Sequence, residues 1–178
     1  RLLMFGFQSF YKGTDLVIEA VKLLPKDYLN KIDISIMGIS DKELYEKYQE
    51  DCKLLGIYWK NGYVDDSVLS MAIYQADALL YPYRSISQSG ALLQGIYARK
   101  PIILSKLPAF VETMIDYPEE LFCNVNDPID LSKVIKLFVD GAYDSLRMED
   151  SLQKLNLCYS WASAARKNWA LYRKVYAN

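Results

Sequence analysis

Residues 2–24, LLMFGFQSFYKGTDLVIEAVKLL, contain the pattern that decides the fold. The segment opens with a short apolar run, residues 2–6, which predicts a buried β-strand. An amphipathic helix is predicted over residues 14–24, with Thr14 as a potential N-cap and Pro25 just after its end. Its apolar face contains Val17, Val21 and Leu24. Strand, glycine-containing loop and helix in this order form the first unit of a β-α repeat.

The same alternation continues along the chain. Further strands are predicted over residues 32–38, 57–60, 78–81, 101–104 and 121–125, with helices over residues 41–55, 65–75 and 89–98. The last of these helices is apolar almost all round and is predicted to be buried. Two or three helices are predicted between Ile129 and Asn178, and residues 140–150 form the weakest boundary. We therefore predict an α/β fold, a Rossmann-like parallel sheet of about six strands with helices on both faces and a C-terminal helical tail.

Composition restricts the chemistry. The 178 residues include no His, which removes the commonest general base and metal ligand. The formal net charge of −1 gives no global attraction to nucleic acid. The cysteines are far apart in the sequence, which is typical of buried thiols in a reducing compartment: they are Cys52, Cys123 and Cys158. No membrane span is predicted. Because the chain opens inside its first strand without a Met, we expect it to be a fragment of a longer protein.

Function is expected in the loops that follow the strands, because parallel sheets bind ligands at the carboxyl ends of their strands. In the first loop, Gly6 allows a ligand to approach the main chain closely. Lys12 brings a cation to the edge where a phosphate would bind. The alternative is that the lysine is a solvated charge and the glycine only serves a turn.

The second loop, YPYRSISQSG at residues 81–90, leads into a predicted helix. Its small residues leave main-chain N–H groups accessible for an anion, although plain N-capping by Ser87 or Ser89 needs no ligand. Gln94 is interpreted as a buried amide that bonds either a neighbouring loop or a ligand hydroxyl. The third loop, NGYV at residues 61–64, is either a reader of a base edge or a simple turn.

Taken in order, these segments resemble the C-terminal domain of retaining glycosyltransferases with the GT-B fold, in the glycosyl transferases group 1 family. The resemblance rests on four stretches, FGFQSFYKGTDLVIEAV, NGYVDDSVLSMAIYQADALLYPY, QSGALLQGIYARKPIIL and YSWASAARKNWALYRKVY, which together follow the family's order along nearly the whole chain. It implies one nucleotide-sugar-binding domain over residues 1–178, closed by a helix over residues 156–178 that crosses back towards an N-terminal domain.

The resemblance also implies roles for individual residues. Lys12 matches the lysine that holds the donor diphosphate and offsets the charge of the leaving group, so it is the candidate catalytic residue. Residues 88–90 match the segment that cradles the distal phosphate, Tyr63 and Val64 match the loop that contacts the nucleobase, and Gln94 takes the place of a glutamate that usually holds the ribose. The full predicted donor site is Gly6, Lys12, Tyr63, Val64, Arg84, Ser87, Gln88, Ser89, Gly90 and Gln94.

The chain departs from the family pattern at three charged positions. Phe7 replaces a basic residue, and Ile86 and Gln94 replace the two glutamates of an E-(x7)-E pattern. Either hydroxyls and amides replace these charges, or Arg84 supplies the missing cation, or the chain is a degenerate, non-catalytic member. Three other classes of protein are alternatives: a sugar-nucleotide epimerase half, a dinucleotide-dependent oxidoreductase and an interaction module. The oxidoreductase would require a G-x-G-x-x-G motif after the first strand, which this chain does not contain.

The resemblance implies transfer of a sugar from a UDP or GDP type donor to a glycan or lipid-linked acceptor, with retention and without a cofactor or metal. The acceptor would be held by the N-terminal domain, so this chain alone is expected to bind nucleotide weakly and transfer nothing. Polysaccharide synthesis in the cytoplasm or at the inner membrane surface is the expected setting. The aromatic residues of the last helix are predicted to pack on the domain: Trp161, Trp169 and Tyr172.

Overall fold

Six strands form one parallel sheet, which confirms the predicted Rossmann-like α/β fold. The structure is a computed structural model that describes residues 1–86 and 89–176. The strand order is β3-β2-β1-β4-β5-β6. Strands β1 to β3 are added towards one edge of the sheet and β4 to β6 towards the other, so the switch point lies between β1 and β4, where such sheets bind ligands. In chain order, β1 to β6 are Leu2–Phe5, Ile34–Gly38, Tyr58–Asn61, Ala78–Tyr81, Ile102–Ser105 and Phe122–Cys123.

Nine α-helices surround the sheet in the described part of the chain. In chain order, α1 to α9 are Thr14–Lys22, Lys26–Leu29, Lys42–Leu55, Asp66–Gln75, Gly90–Ala98, Pro108–Thr113, Pro128–Val139, Ser145–Tyr159 and Trp161–Tyr176. The short helices α2 and α6 were not predicted because they contain too few residues to show a helical period. Three helices follow the last strand, within the predicted two or three.

The central strands are covered on both faces. All four residues are buried in each of β1, β4 and β5, as expected for parallel strands between helical layers. Helix α1 packs against α3 and α7, and α5 packs against α4 and α8. These two groups form the two outer layers of the domain. Right-handed crossovers place helices on opposite faces of the sheet when successive strands are added first towards one edge and then towards the other.

Helix α1 begins differently from the prediction. The residue that precedes it is Gly13, at φ 75°, rather than Thr14. The Thr14 hydroxyl instead donates to Gln8 Oε1 at 2.9 Å. The left-handed conformation at Gly13 lets the chain turn directly from a short 3₁₀ turn, Phe10–Lys12, into α1. Thr14 therefore ties the helix to the preceding loop instead of capping it.

Helix α5 is buried on one side only, so the prediction that it is buried all round was wrong. Leu93 and Tyr97 are 43% and 75% exposed, whereas Leu92, Gly95 and Ile96 face the core. A helix in the outer layer of a sheet domain has a solvent face whatever its composition. The apolar content of α5 therefore does not report how much of it is covered.

The aromatic face of α9 is also exposed, contrary to prediction. Trp161, Trp169 and Tyr172 are 91%, 62% and 58% exposed. The principal contact of α9 within the described chain is α8. An amphipathic pattern identifies an apolar face without identifying what covers it, and the sheet domain does not cover this one.

Candidate functional site

The first loop brings Lys12 back to the end of β1. Gly6 follows that strand at φ 92°, a conformation that favours glycine. The 3₁₀ turn Phe10–Lys12 then reverses the chain. As a result, a Cβ atom on Gly6 would stand 2.9 Å from Lys12 Nζ. The absence of a side chain at position 6 therefore leaves room for the ammonium group beside the main chain.

Lys12 is a buried cation. The residue is only 8% exposed, and no carboxylate of the described residues forms an ion pair with its ammonium group. Its nitrogen lies 5.5 Å from the centroid of the Tyr83 ring, within the range of a cation–π contact. Burial lowers the pKa of Lys12 below its ordinary value. An anion at this edge would therefore relieve an unfavourable buried charge.

Gln8 holds the first loop in place, and the sequence analysis missed it. Its side chain is fully buried. The amide nitrogen donates to Gly6 O at 2.8 Å and to Met37 O at 3.2 Å, while the amide oxygen accepts from Thr14. Gln8 thus joins the ends of β1 and β2 to the start of α1. A glutamine in a loop has no sequence pattern that distinguishes this role from a solvated side chain.

Main-chain segments meet closely around Lys12. A Cβ atom on Gly38, at the end of β2, would stand 1.9 Å from Gly6 O. A Cβ atom on Gly13 would stand 2.1 Å from Pro82 O, in the loop after β4. The loops after β1, β2 and β4 therefore touch through glycines, and any larger residue at either position would separate them.

The Tyr83 ring is the aromatic surface next to the Lys12 ammonium group. This ring is buried and contacts the rings of Tyr11, Tyr81 and Phe110. The Tyr83 carbonyl accepts from the Ser105 hydroxyl at 2.5 Å, which fixes the main chain after β4. Burial raises the pKa of Tyr83 to about 12. Tyr83 is therefore neutral near pH 7 and serves as a rigid aromatic surface rather than an acid or base.

Arg84 lies at the same edge, but its guanidinium is already occupied. Nη1 and Nη2 donate to the two carboxylate oxygens of Asp15, each at 2.7 Å. Nε donates to Asn126 Oδ1 at 2.7 Å, and Nη1 also contacts the Phe10 carbonyl. A phosphate role for Arg84, suggested by the sequence, stays a prediction, and it would require the guanidinium to leave this bidentate pair.

The start of α5 combines a cap with open main chain. The Ser89 hydroxyl accepts from Leu92 N at 3.1 Å, so this serine acts as the N-cap. Gly90 is exposed, and nothing lies within 4 Å of the position its Cβ would take. Ser87 and Gln88, two of the predicted phosphate-binding residues, lie outside the described residues.

The remaining predicted residues lie farther along the edge. Gln94 is exposed on α5, which corrects its interpretation as a buried amide. Tyr63 is 73% exposed and Val64 is half-buried, in the loop after β3. β3 is two strands from β1, or about 10 Å at the usual strand spacing. Ile86, in place of a family glutamate, packs against the core.

The fold thus brings four of these residues together at the switch point of the sheet: Gly6, Lys12, Tyr83 and Arg84. The start of α5 follows β4 at the same edge. No group of three or more metal-ligating side chains occurs among the residues that the structure describes. Within the same residues, no helix combines the length and apolar character that a membrane span requires.

Sequence comparison identifies a protein family and a curated protein that are similar to this chain. The model of the family "Glycosyl transferases group 1" matches residues 1–154. The uncharacterized glycosyltransferase MJ1069 of Methanocaldococcus jannaschii is 24% identical over 179 aligned positions, which cover 99% of this chain and 44% of that protein. The chain therefore spans less than half the length of this curated relative.

Solved structures show the same fold at low identity. Sucrose-phosphate synthase from Thermosynechococcus elongatus superposes with a TM-score of 0.77 at 17% identity, over 99% of this chain and 45% of that one. Anabaena HepE in complex with UDP and glucose gives a TM-score of 0.74 at 13% identity, over 99% of this chain and 48% of that one. Each alignment covers nearly all of this chain and about half of its counterpart.

Proposed function

Because the chain belongs to the glycosyl transferases group 1 family, we propose that the edge around Lys12 binds the diphosphate of a nucleoside-diphosphate sugar. Sugar transfer by a GT-B glycosyltransferase is the reaction of the enzyme to which this domain belongs. The observation that supports a diphosphate site is the buried ammonium group of Lys12, which lacks a carboxylate partner among the described residues and lies beside Gly6. A nucleotide complex of the structurally similar Anabaena HepE agrees with this choice of ligand.

Lys12 acts at the step in which the sugar leaves the diphosphate. Negative charge builds on the leaving phosphate as that bond breaks, and a cation held in place beforehand stabilises this charge more than the ground state. Burial strengthens the effect because the local dielectric constant is low. We assign Lys12 as the catalytic side chain that this domain contributes, and transfer requires no metal in this scheme.

The start of α5 supplies the second phosphate contact. The open main chain at Gly90, with the dipole of α5 behind it, favours an anion at this position. The exposed amide of Gln94, one turn farther along the helix, is available to a ribose hydroxyl. Tyr63 and Val64 contact the base at the far end of the edge, and we propose a uridine or guanosine nucleotide there.

The rest of the reaction belongs to the N-terminal domain. We propose that this domain holds a glycan or lipid-linked acceptor. We also propose that it contacts the face of α9 on which Trp161 and Trp169 are exposed. We propose that transfer proceeds with retention of configuration and serves polysaccharide synthesis, and the family resemblance supports both. A cytoplasmic site, free or at the inner membrane surface, agrees with Cys52, Cys123 and Cys158, all of which are free thiols.

A phosphate series tests the diphosphate assignment. Calorimetric titration of the 178-residue chain with uridine, UMP and UDP measures the contribution of each phosphate, and the guanosine series repeats the measurement for the other base. We expect affinity to increase from nucleoside to diphosphate, and Lys12→Ala to remove most of that increase. Equal affinity for UMP and UDP, and likewise for GMP and GDP, would contradict a diphosphate site at Lys12.

A further inference from the structure

Arg84 joins three loops at the ligand edge. Its guanidinium contacts the Phe10 carbonyl in the loop after β1, Asp15 in the first turn of α1, and Asn126 in the loop after β6. Four of its five N–H groups are used in these contacts. Its main-chain N–H also donates to Tyr11 O at 2.7 Å. A single residue in the loop after β4, Arg84, therefore contacts segments that are far apart in the sequence.

These contacts lie on both sides of the catalytic lysine. Phe10 and Tyr11 precede Lys12 directly, and Asp15 follows it by three residues. Between them, Gly13 approaches Pro82 so closely that no side chain fits. We infer that the Arg84–Asp15 ion pair is a positioning device that holds the Lys12 loop against the loop after β4. This inference rests on the proposed function, since it assigns a role in setting the geometry of the diphosphate site.

Direct binding of phosphate by Arg84 fits the structure less well. The bidentate pair uses the fork geometry that an arginine would otherwise present to a phosphate. The side chain of Asp15 is 10% exposed, so moving Arg84 to a ligand would leave a buried carboxylate unpaired. Lys12 has no such carboxylate partner within the described part of the chain. The two cations of the site therefore have different tasks, with Lys12 contacting the ligand and Arg84 fixing Lys12.

A double-mutant cycle separates the two roles of Arg84. The probe is whichever of UDP, GDP and ADP the wild-type chain binds most tightly in calorimetric titration. We expect Arg84→Ala and Asp15→Ala each to weaken its binding by roughly tenfold, and the double variant to be no weaker than either single variant. The expected equality follows because either substitution alone already releases the Lys12 loop.

A phosphate-binding role gives the opposite pattern. If Arg84 contacts phosphate, Asp15→Ala frees its charge, so affinity is unchanged or increased while Arg84→Ala alone weakens binding. That result would overturn the inference, and so would losses that multiply in the double variant. Arg84→Lys adds an independent criterion, because it keeps the charge but lacks the fork. We expect it to bind as weakly as Arg84→Ala, and recovery of wild-type affinity would also overturn the inference.

Lys22→Ala is the matched control for loss of an ion pair. Lys22 lies at the other end of α1 and pairs with Asp51 of α3 at 2.7 Å, away from the ligand edge. We expect its nucleotide affinity to equal that of wild type. The calorimetric stoichiometry reports the folded fraction, and Arg84→Lys decides the question if the alanine variants unfold. Absence of binding by wild type itself would instead overturn the proposed function, and this inference with it.

Discussion

Gly6 and Lys12 pack so closely that a Cβ atom on residue 6 would stand 2.9 Å from the lysine ammonium nitrogen. The main chain after β1 and the cation of the first loop therefore form a single surface. In the proposed function, the diphosphate contacts this surface. The relationship depends on the missing side chain at Gly6 and on the turn that returns Lys12 to it.

Substitution of Gly6 by alanine is expected to impair binding as well as stability. The positive φ of 92° gives a cost of about 1–2 kcal/mol in the free energy of unfolding, and the new methyl group displaces the Lys12 ammonium. Gly56→Ala is the matched control, because Gly56 has φ 71° and nothing within 4 Å of its Cβ position. Urea unfolding is expected to show similar losses for both variants, whereas only Gly6→Ala weakens nucleotide binding.

Gly13, like Gly38, is expected to be replaceable only at a large cost in stability. An alanine here places its Cβ 2.1 Å from Pro82 O, a main-chain atom that cannot move without shifting the whole loop. We expect Gly13→Ala to lower the free energy of unfolding by more than about 3 kcal/mol. Gly141→Ala, at a similar φ of 67° with open space around it, is expected to cost about 1 kcal/mol. Equal losses in urea unfolding would show that the two loops are not in contact.

Lys12→Met is expected to stabilise the domain while it weakens nucleotide binding at least about tenfold. Methionine keeps much of the side-chain volume and removes a buried charge, so we expect a gain of about 1 kcal/mol near pH 7. The lowered pKa of Lys12 gives this gain a pH dependence. Between that pKa and the ordinary value of 10.5, the unfolded chain binds more protons at Lys12 than the folded chain, so wild-type stability rises with pH relative to the variant.

Chemical unfolding of wild type and Lys12→Met at a series of pH values up to 10 checks this expectation. The difference in the free energy of unfolding should narrow as the pH approaches 10.5. A variant less stable than wild type at pH 7 would show that the lysine contributes to the folded state without a ligand.

Removal of α9 is expected to leave the sheet domain nearly as stable as before. Its aromatic residues are exposed, and α8 is its principal contact. We expect a chain ending at Ser160 to lose less than about 1 kcal/mol in urea unfolding. A chain ending at Asp144 is the contrasting variant, because it also removes the α8 residues buried in the core: Met148, Leu152 and Leu155. That shorter chain is expected to unfold, and a large loss on removing α9 alone would show that its aromatic face is covered.

The fold was predictable because its strands are short apolar runs between amphipathic helices. Residues 78–81 predict β4 with the bounds that the structure shows, and the run at residues 2–6 ends one residue beyond β1. Burial was less predictable, since the exposed Tyr97 and Trp161 belong to apolar helix patterns like those of the core. Periodicity gives the direction of a side chain relative to its helix, but the packing partner comes from the tertiary structure.

The arrangement of the candidate site was predictable where a single loop determines its geometry. Gly6 and Lys12 lie in one loop, and the structure places them side by side. The contact of Arg84 with Asp15, 69 residues away, depends on two strands meeting at the switch point and has no local signal. The burial of Gln8 likewise depends on the junction of β1 and β2. The family match favours sugar transfer over the oxidoreductase and interaction-module alternatives.

Titration of wild type and Lys12→Ala with UDP, GDP and ADP tests directly whether the edge around Lys12 is a donor site. Lys22→Ala again serves as the control, since its charge lies away from the edge. We predict that wild type binds one of these nucleotides selectively and that Lys12→Ala weakens that binding at least about tenfold. The control is expected to bind as wild type does. Binding of no nucleotide by the folded chain, or equal affinity of wild type and Lys12→Ala, would contradict a donor site at Lys12.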